Sequence, residues 1–225
     1  MRKNNQYYVR KAHRWLGVII GIQFLGWTIS GLYFSWTDID EIHGDQFRQQ
    51  VHELVPLGNL NLPDTLLVSE LSMRIIDDMP YLWVNDQFLI NTSTGDIKNG
   101  VNKSEAERIA RQHVKKEYQI QSSELISKVD AHHEYRGRPL PAWAIQFEGN
   151  DELTAYVSQR DGSFQRVRHN SWRWFDFLWM FHTMDYENRD DFNNLLLRAF
   201  SLFGLITVAS GFTLFFMTTR KRKNK

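Results

Sequence analysis

The sequence predicts a membrane α+β protein, with two transmembrane helices flanking an extracytoplasmic α+β domain. Three observations predict it. Two apolar runs of span length lie near the two ends of the chain. The basic residues cluster beside those runs. Between them lie polar stretches with strand alternation, turn signals and one helix-period pattern. The 225 residues are 42% apolar and 14% aromatic, with no cysteine and a formal net charge of +1. That near-neutral total hides an asymmetry. Residues 1–14 carry Arg2, Lys3, Arg10, Lys11 and Arg14 and no acid. Residues 218–225 carry Arg220, Lys221, Arg222, Lys223 and Lys225 and no acid. The rest of the chain holds 17 Lys/Arg against 26 Asp/Glu, a balance of −9. A nucleic-acid binder gathers its basic charge on one folded face. Basic tails beside apolar runs are instead a membrane pattern, so no nucleic-acid partner is expected.

The elements follow in order. A basic cytoplasmic arm occupies 1–14. The first span, Trp15 to Trp36, is WLGVIIGIQFLGWTISGLYFSW, without a charge. At about 1.5 Å per residue it covers a bilayer core. Trp15, Tyr33 and Trp36 stand near its ends, where interfacial aromatics belong. No A-x-A cleavage site follows, so the run reads as an uncleaved signal-anchor. An acidic linker covers 37–63, beginning DIDEIHGD at Asp38. The folded domain covers 64–170. Within it, 65–79 reads as a short helix. Tyr81–Val84 and Phe88–Thr92 read as strands, with a turn at Thr94-Gly95-Asp96. Ser104 and Glu107 read as a capping box opening a helix. Ala106, Ile109, Ala110, His113 and Val114 recur on one face of that helix. Three strands follow at Leu125–Tyr135, Ala142–Glu148 and Leu153–Gln159, and the Asp161-Gly162 turn leads to a fourth at Phe164–Val167. One helix on an antiparallel sheet, or two repeats of that unit, accounts for the pattern. Residues 171–190 contain WRWFDFLWMFHTMD and read as an interfacial amphipathic helix. The second span is 195–217, with Arg198 near its start able to snorkel to headgroups. A basic tail, 218–225, closes the chain. The Lys/Arg bias puts both termini in the cytoplasm and 37–194 outside.

Small residues mark both spans as built to pack: Gly17, Gly21, Gly26, Ser30 and Gly31 in the first, Gly204, Ala209, Ser210 and Gly211 in the second. Gln23 is expected to bond across helices. Zero cysteine excludes disulfides, thiol nucleophiles, iron–sulfur clusters and covalent C-x-x-C-H haem. No Walker loop, G-x-G-x-x-G, G-x-S-x-G or H-E-x-x-H occurs.

Three segments together resemble a known family. RKAHRWLGVIIGIQFLGWTISGLYFSW (10–36) resembles the first span of PepSY-associated transmembrane proteins. KSEAERIARQHV (103–114), followed by PAWAIQFEGNDELTAYVSQRDGSFQRV (141–167), resembles a PepSY domain. The turn reads Arg160-Asp161-Gly162 where the family often has Ala-Thr-Gly. WRWFDFLWMFHTMDYENRDDFNNLLLRAFSLFGL (172–205) resembles the family's segment entering its next span. Larger relatives with four or more spans include inner-membrane ferric-siderophore reductases with b-type haem. The resemblance therefore implies a bacterial inner-membrane protein with a periplasmic PepSY-like domain. It further implies haem b and electron transfer to ferric iron or a ferric chelate, from a cytoplasmic reductase or reduced flavin. A non-catalytic, membrane-tethered PepSY module that binds or inhibits a partner is the alternative.

Bis-histidine haem needs two imidazoles facing one iron. His13 stands just before the first span, with Gly17 and Gly21 at i+4 and i+8 leaving room for a flat macrocycle. It is either a haem ligand or an interfacial histidine among headgroups. His182 matches the histidine of the family's W…H segment and is either a haem ligand or a buried core residue. His43, with Asp40 and Asp45, is a second outer ligand, a ferric-docking patch or a solvated linker. Residues 185–191 make a second acidic patch, placed to concentrate cations. His52, His113, His132, His133 and His169 read as structural. One copy offers one histidine at each membrane face, so the haem reading requires a homodimer in a lipid membrane.

Overall fold

Two long apolar helices, one at each end of the chain, flank a central α+β domain with two antiparallel four-stranded sheets. A computed structural model describes residues 5–51, 62 and 66–222. The chain divides into two units: Met1–Thr37 with Phe175–Lys225, and Asp38–Trp174.

The helical unit is built on α1 (Asn5–Trp36), the end of α4 (Asn170–Thr183) and α5 (Leu195–Arg222). At 32 and 28 residues, α1 and α5 run about 48 and 42 Å, more than a bilayer core. Both are candidate membrane spans, over Tyr7–Trp36 and Leu195–Met217. The helices overrun the boundaries expected for the spans. Residues 5–14 extend α1 and 218–222 extend α5. Neither tail contains Gly or Pro, and Lys and Arg are good helix formers, so nothing stops propagation there.

Along α1 and α5, glycines admit the neighbouring helix. A Cβ on Gly204 would lie 3.1 Å from the Phe24 ring, and one on Gly211 would lie 3.4 Å from Cε1 of His13. Contacts thus run down α5 as they run up α1, an antiparallel pair. The end of α4 packs on the C-terminal half of α1. There Phe34 meets the rings of Phe175 at 4.9 Å and Trp179 at 5.7 Å.

The α+β unit opens with α2 (Ile39–His43) and a 3₁₀ turn at Asp45–Phe47. Its first sheet is a meander of β1 (Leu71–Ile76), β2 (Met79–Val84), β3 (Phe88–Asn91) and β4 (Ile97–Lys98). Then comes α3 (Lys103–His113), followed by a second meander of β5 (Ile120–Ile126), β6 (Ala142–Phe147), β7 (Thr154–Ser158) and β8 (Phe164–Arg168). The repeat expected from the sequence is present as two meanders, but α3 has no counterpart before β1 among the described residues. One core joins Ala106, Ile109 and Ala110 of α3 to Trp83 and Leu89 of the first sheet and to Ile145 of the second. Gly100 sits at φ +74, and a Cβ there would run into the Gln159 backbone carbonyl. That close approach lets the Val101 amide donate to the same carbonyl at 2.7 Å.

Three expectations are corrected. The helix expected over 65–79 is replaced by β1, whose Leu71, Met73 and Ile75 alternate with Ser72 and Arg74. Asp77 and Asp78, both at positive φ, form the two-residue turn into β2, a job usually given to Asn-Gly or Asp-Gly. The cap of α3 is Asn102, not Ser104, and its capping box closes with Glu105. The strand expected over Leu125–Tyr135 is instead β5, ending at Ile126. Asp130 there accepts from the His132 amide at 2.8 Å and turns the chain away. Residues 52–61 and 63 of the 37–63 linker, His52 among them, lie outside the described residues.

His169, His113 and Asp161 are titratable groups set into this unit. His169 is 2% exposed, with Nε2 3.1 Å from the Ile42 carbonyl, and burial pushes its pKa below 6.5. Burial likewise lowers that of His113. Burial pushes the Asp161 carboxyl up, but Ser158, Ser163 and the Arg74 guanidinium outweigh it and hold it below 3.8. Both histidines favour the neutral form when folded. Their contribution is therefore full above pH 6.5 and falls as pH drops from 6.5 toward the lowered values. The Asp161 contribution persists to lower pH and is lost below 3.8. Chemical denaturation across pH should show these two successive losses of stability. His169→Gln should shrink the upper one and leave the lower one in place.

Candidate functional site

His13 is half-buried on α1, and its Nδ1 lies 2.7 Å from Oγ of Ser210 on α5. Ser210 Oγ also lies 2.7 Å from the Thr207 carbonyl. The adjoining Gly211 lines an apolar groove of about 470 Å³ with Val208, Phe212, Phe215 and Phe216.

His182 lies on α4 with Nδ1 2.8 Å from Oγ of Ser30 on α1. Ser30 is buried, and its hydroxyl donates to the Gly26 carbonyl at 2.9 Å, with Trp27 O at 3.2 Å. Aromatic rings surround the imidazole: Phe34 at 5.6 Å and Trp27 at 6.2 Å between centroids. Gly31 lies against the imidazole, and Gly26 admits the Phe181 ring next to it. A Cβ on Gly31 would approach His182 Cε1 to 4.0 Å, and one on Gly26 would collide with the Phe181 ring.

The two arrangements have the same logic. A serine hydroxyl has one proton and two lone pairs. In a helix it donates that proton to the carbonyl three or four residues back. A carbonyl cannot donate in return, so the serine oxygen accepts from the imidazole. Both short contacts are satisfied only if Nδ1 carries the proton. In the neutral ring Nε2 then holds the lone pair. Metal-ligating histidines commonly show this arrangement, one nitrogen donating to a fixed partner and the other facing the metal.

His13 and Ser30 are 17 residues apart on α1, about 25 Å along the axis. The two histidines therefore belong to two separate levels. Neither has a second histidine beside it among the described residues of the helical unit.

The other expected residues fall differently. Gly17 and Gly21 have nothing within 4 Å of a would-be Cβ. They form an open face, and the close helix contacts are made at Gly26, Gly204 and Gly211 instead. Gln23 Nε2 makes no cross-helix bond; it and Trp27 Nε1 are buried without an acceptor among the described residues. Asp40, His43 and Asp45 are exposed on α2 and the turn after it. Asp45 meets Arg48 at 3.4 Å. No group of three His, Asp or Glu side chains placed to hold a metal ion occurs among the described residues. In the 185–191 patch, Asp185 is buried and accepts the amides of Glu187, Asn188 and Asp191, so it organises the loop instead of facing solvent cations. His132 and His133 lie in a turn region, where His133 Nδ1 accepts from the Tyr135 amide at 3.0 Å.

The α+β unit has a cleft of its own, about 490 Å³, between edge strands β1 and β8. Arg48, Arg74, Gln112, His113 and Ser163 bring polar groups to it. The His113 ring stacks on Phe164 at 4.3 Å, and Arg48 lies 5.6 Å from the same ring.

Both histidines are legible in the sequence, whereas Ser30 and Ser210 read there only as small residues and nothing marks Trp27 and Phe34 as neighbours of His182. No protein-family model, no curated protein and no solved structure matches the chain.

The glycine geometry makes a direct forecast. Gly26→Ala forces the Phe181 ring aside and should destabilise the helical unit by about 1–3 kcal/mol, as overpacking does. Gly21→Ala meets open space and should be neutral. Thermal melts of the two variants in the same detergent check this.

Proposed function

We propose that the chain is a b-type haem protein of the bacterial inner membrane. It carries electrons from a cytoplasmic donor, a reductase or reduced flavin, to ferric iron or a ferric chelate outside. The observation that carries this reading is the shared state of His13 and His182. Each holds an Nδ1–H on a helix serine and keeps an Nε2 lone pair among apolar helices. The donor set fits a low-spin haem: an imidazole at each level, on helices whose outward side chains are apolar, with Gly17 and Gly21 leaving an open face on α1. His13 and His182 would hold the iron, with Gly211 beside one ring and Gly31 beside the other. A bound haem supplies a one-electron carrier at each level.

The remaining work belongs to the chain. α1 and α5 set the two levels about 25 Å apart, the span of a bilayer core. The basic tails hold both termini in the cytoplasm, which puts His13 at the inner face, His182 at the outer face and the PepSY-like domain in the periplasm. One copy supplies one histidine per level. A two-fold partner supplies the second, so the functional unit is a homodimer. The resemblance of 10–36 and 172–205 to PepSY-associated transmembrane proteins supports the same reading.

A second reading is favoured by the cleft between β1 and β8. In it the α+β unit is a binding or inhibitory module tethered to the membrane, and the helices only anchor it. A colourless protein that binds a periplasmic partner through this unit would favour it.

Absorption spectra of the detergent-purified protein, air-oxidised and then dithionite-reduced, separate the two. The haem reading expects a sharp Soret band and a reduced α-band of low-spin b haem. His13→Ala and His182→Ala should each lose the haem of their own level, and the double variant should be colourless. Full haem content in both single variants, or a colourless wild type after haem supply, overturns it.

A further inference from the structure

We infer that Ser30 and Ser210 are positioning residues for the two histidines: each fixes the tautomer of its imidazole and strengthens its Nε2 as a ligand. The inference rests on the haem reading for its consequence, though not for its geometry. Ser30 accepts from His182 Nδ1 at 2.8 Å while its own proton is held by the Gly26 carbonyl at 2.9 Å. Ser210 accepts from His13 Nδ1 at 2.7 Å while its proton is held by the Thr207 carbonyl at 2.7 Å. Each serine is thus locked as an acceptor by the helix that carries it. The pattern occurs twice, on different helices, at different depths. Ser30 of α1 serves the histidine of α4, and Ser210 of α5 serves the histidine of α1.

An acceptor at Nδ1–H does two things to a ligating imidazole. It prevents the ring from turning over or carrying its proton on Nε2, which would block iron. It also raises the electron density at Nε2, which favours ferric over ferrous iron. Loss of such a partner typically weakens metal binding by about 10–100-fold. A tenfold loss that falls on the ferric state alone corresponds to a midpoint rise of about 59 mV for one electron. Threonine keeps the hydroxyl and its bond to the carbonyl three or four residues back, so it should preserve both effects.

The test uses the full chain in detergent or nanodiscs, with ¹⁵N-histidine labelling. The variants are Ser30→Ala, Ser30→Thr, Ser210→Ala and Ser210→Thr. Two readouts are taken: the ¹⁵N signature of the His13 and His182 tautomers in haem-free protein, and the midpoint potentials of the haem-loaded protein. Wild type should show Nδ1–H at both rings. Each alanine variant should mix the tautomers of its own histidine and raise the potential of its own haem. Each threonine variant should restore both. Alanine variants with unchanged tautomers and unchanged potentials overturn the inference and leave the haem reading standing. A wild type that takes up no haem, yet shows tautomers that depend on the serines, overturns the haem reading and upholds the positioning role.

Discussion

Val18, Ile22, Leu25 and Ile29 face outward along α1, as do Leu205, Phe212, Phe215 and Phe216 along α5. Only Ile20, Ser30 and Gly204 of the two helices are buried among the described residues. So much apolar surface on helices this long suggests a hydrocarbon surround, and that constrains the hydroxyls at the same depth, although Gln23 Nε2 and Trp27 Nε1 are buried without an acceptor among the described residues. In hydrocarbon a hydroxyl or ring nitrogen has no water to fall back on. Thr28, Ser30, Thr207, Ser210 and Thr213 accordingly donate to carbonyls of their own helices. The two serines that also reach an imidazole are those on the faces where helices touch. The histidine geometry is therefore a consequence of the constraint: a serine committed to its helix has only its lone pairs left to offer.

The α+β unit obeys a different solvent, and its sequence was correspondingly easier to read. β6, β7, β8 and the helix α3 were legible because each segment carries its own signal: a short strand-forming run bounded by turns, or a helical period. β1 was not, because its hairpin turns on Asp77 and Asp78, without the glycine that normally advertises such a turn. The next hairpin uses Asn85 and Asp86 in the same positive-φ conformation. Asn and Asp tolerate that region, so the turn forms without the glycine that would mark it in sequence. The capping box of α3 was displaced by two residues for a related reason. Asn102-x-x-Glu105 and Ser104-x-x-Glu107 both satisfy the motif or its near form. In the structure Asn102 is the residue with extended backbone, and its side chain accepts from the Glu105 amide.

At the candidate site, the histidines could be found from the sequence and their partners could not. His13 and Ser210 are 197 residues apart, and His182 and Ser30 are 152 apart. A lone serine in an apolar run carries no mark of which helix it will meet. The glycines show the limit of reading one helix at a time. Gly17 and Gly21 step about 40° and 80° away from His13 around the axis, and by Gly21 that face has left the contact. The glycines that lie against the rings are Gly211 and Gly31, and each is on a different helix from its histidine.

The two levels also bear on stoichiometry. In one copy His13 and His182 are held about 25 Å apart by a continuous helix, so no bending of α1 brings them to one iron. Each serine approaches its histidine at Nδ1, so Nε2, on the other side of the ring, remains for whatever completes the site. On the haem reading that must be a second imidazole, and a two-fold axis running along the helices brings like residues together at both levels at once. One rotation then pairs His13 with its copy and His182 with its copy. A hetero-oligomer would need two histidines of matching spacing on an unrelated chain, whereas a second copy has that spacing by construction.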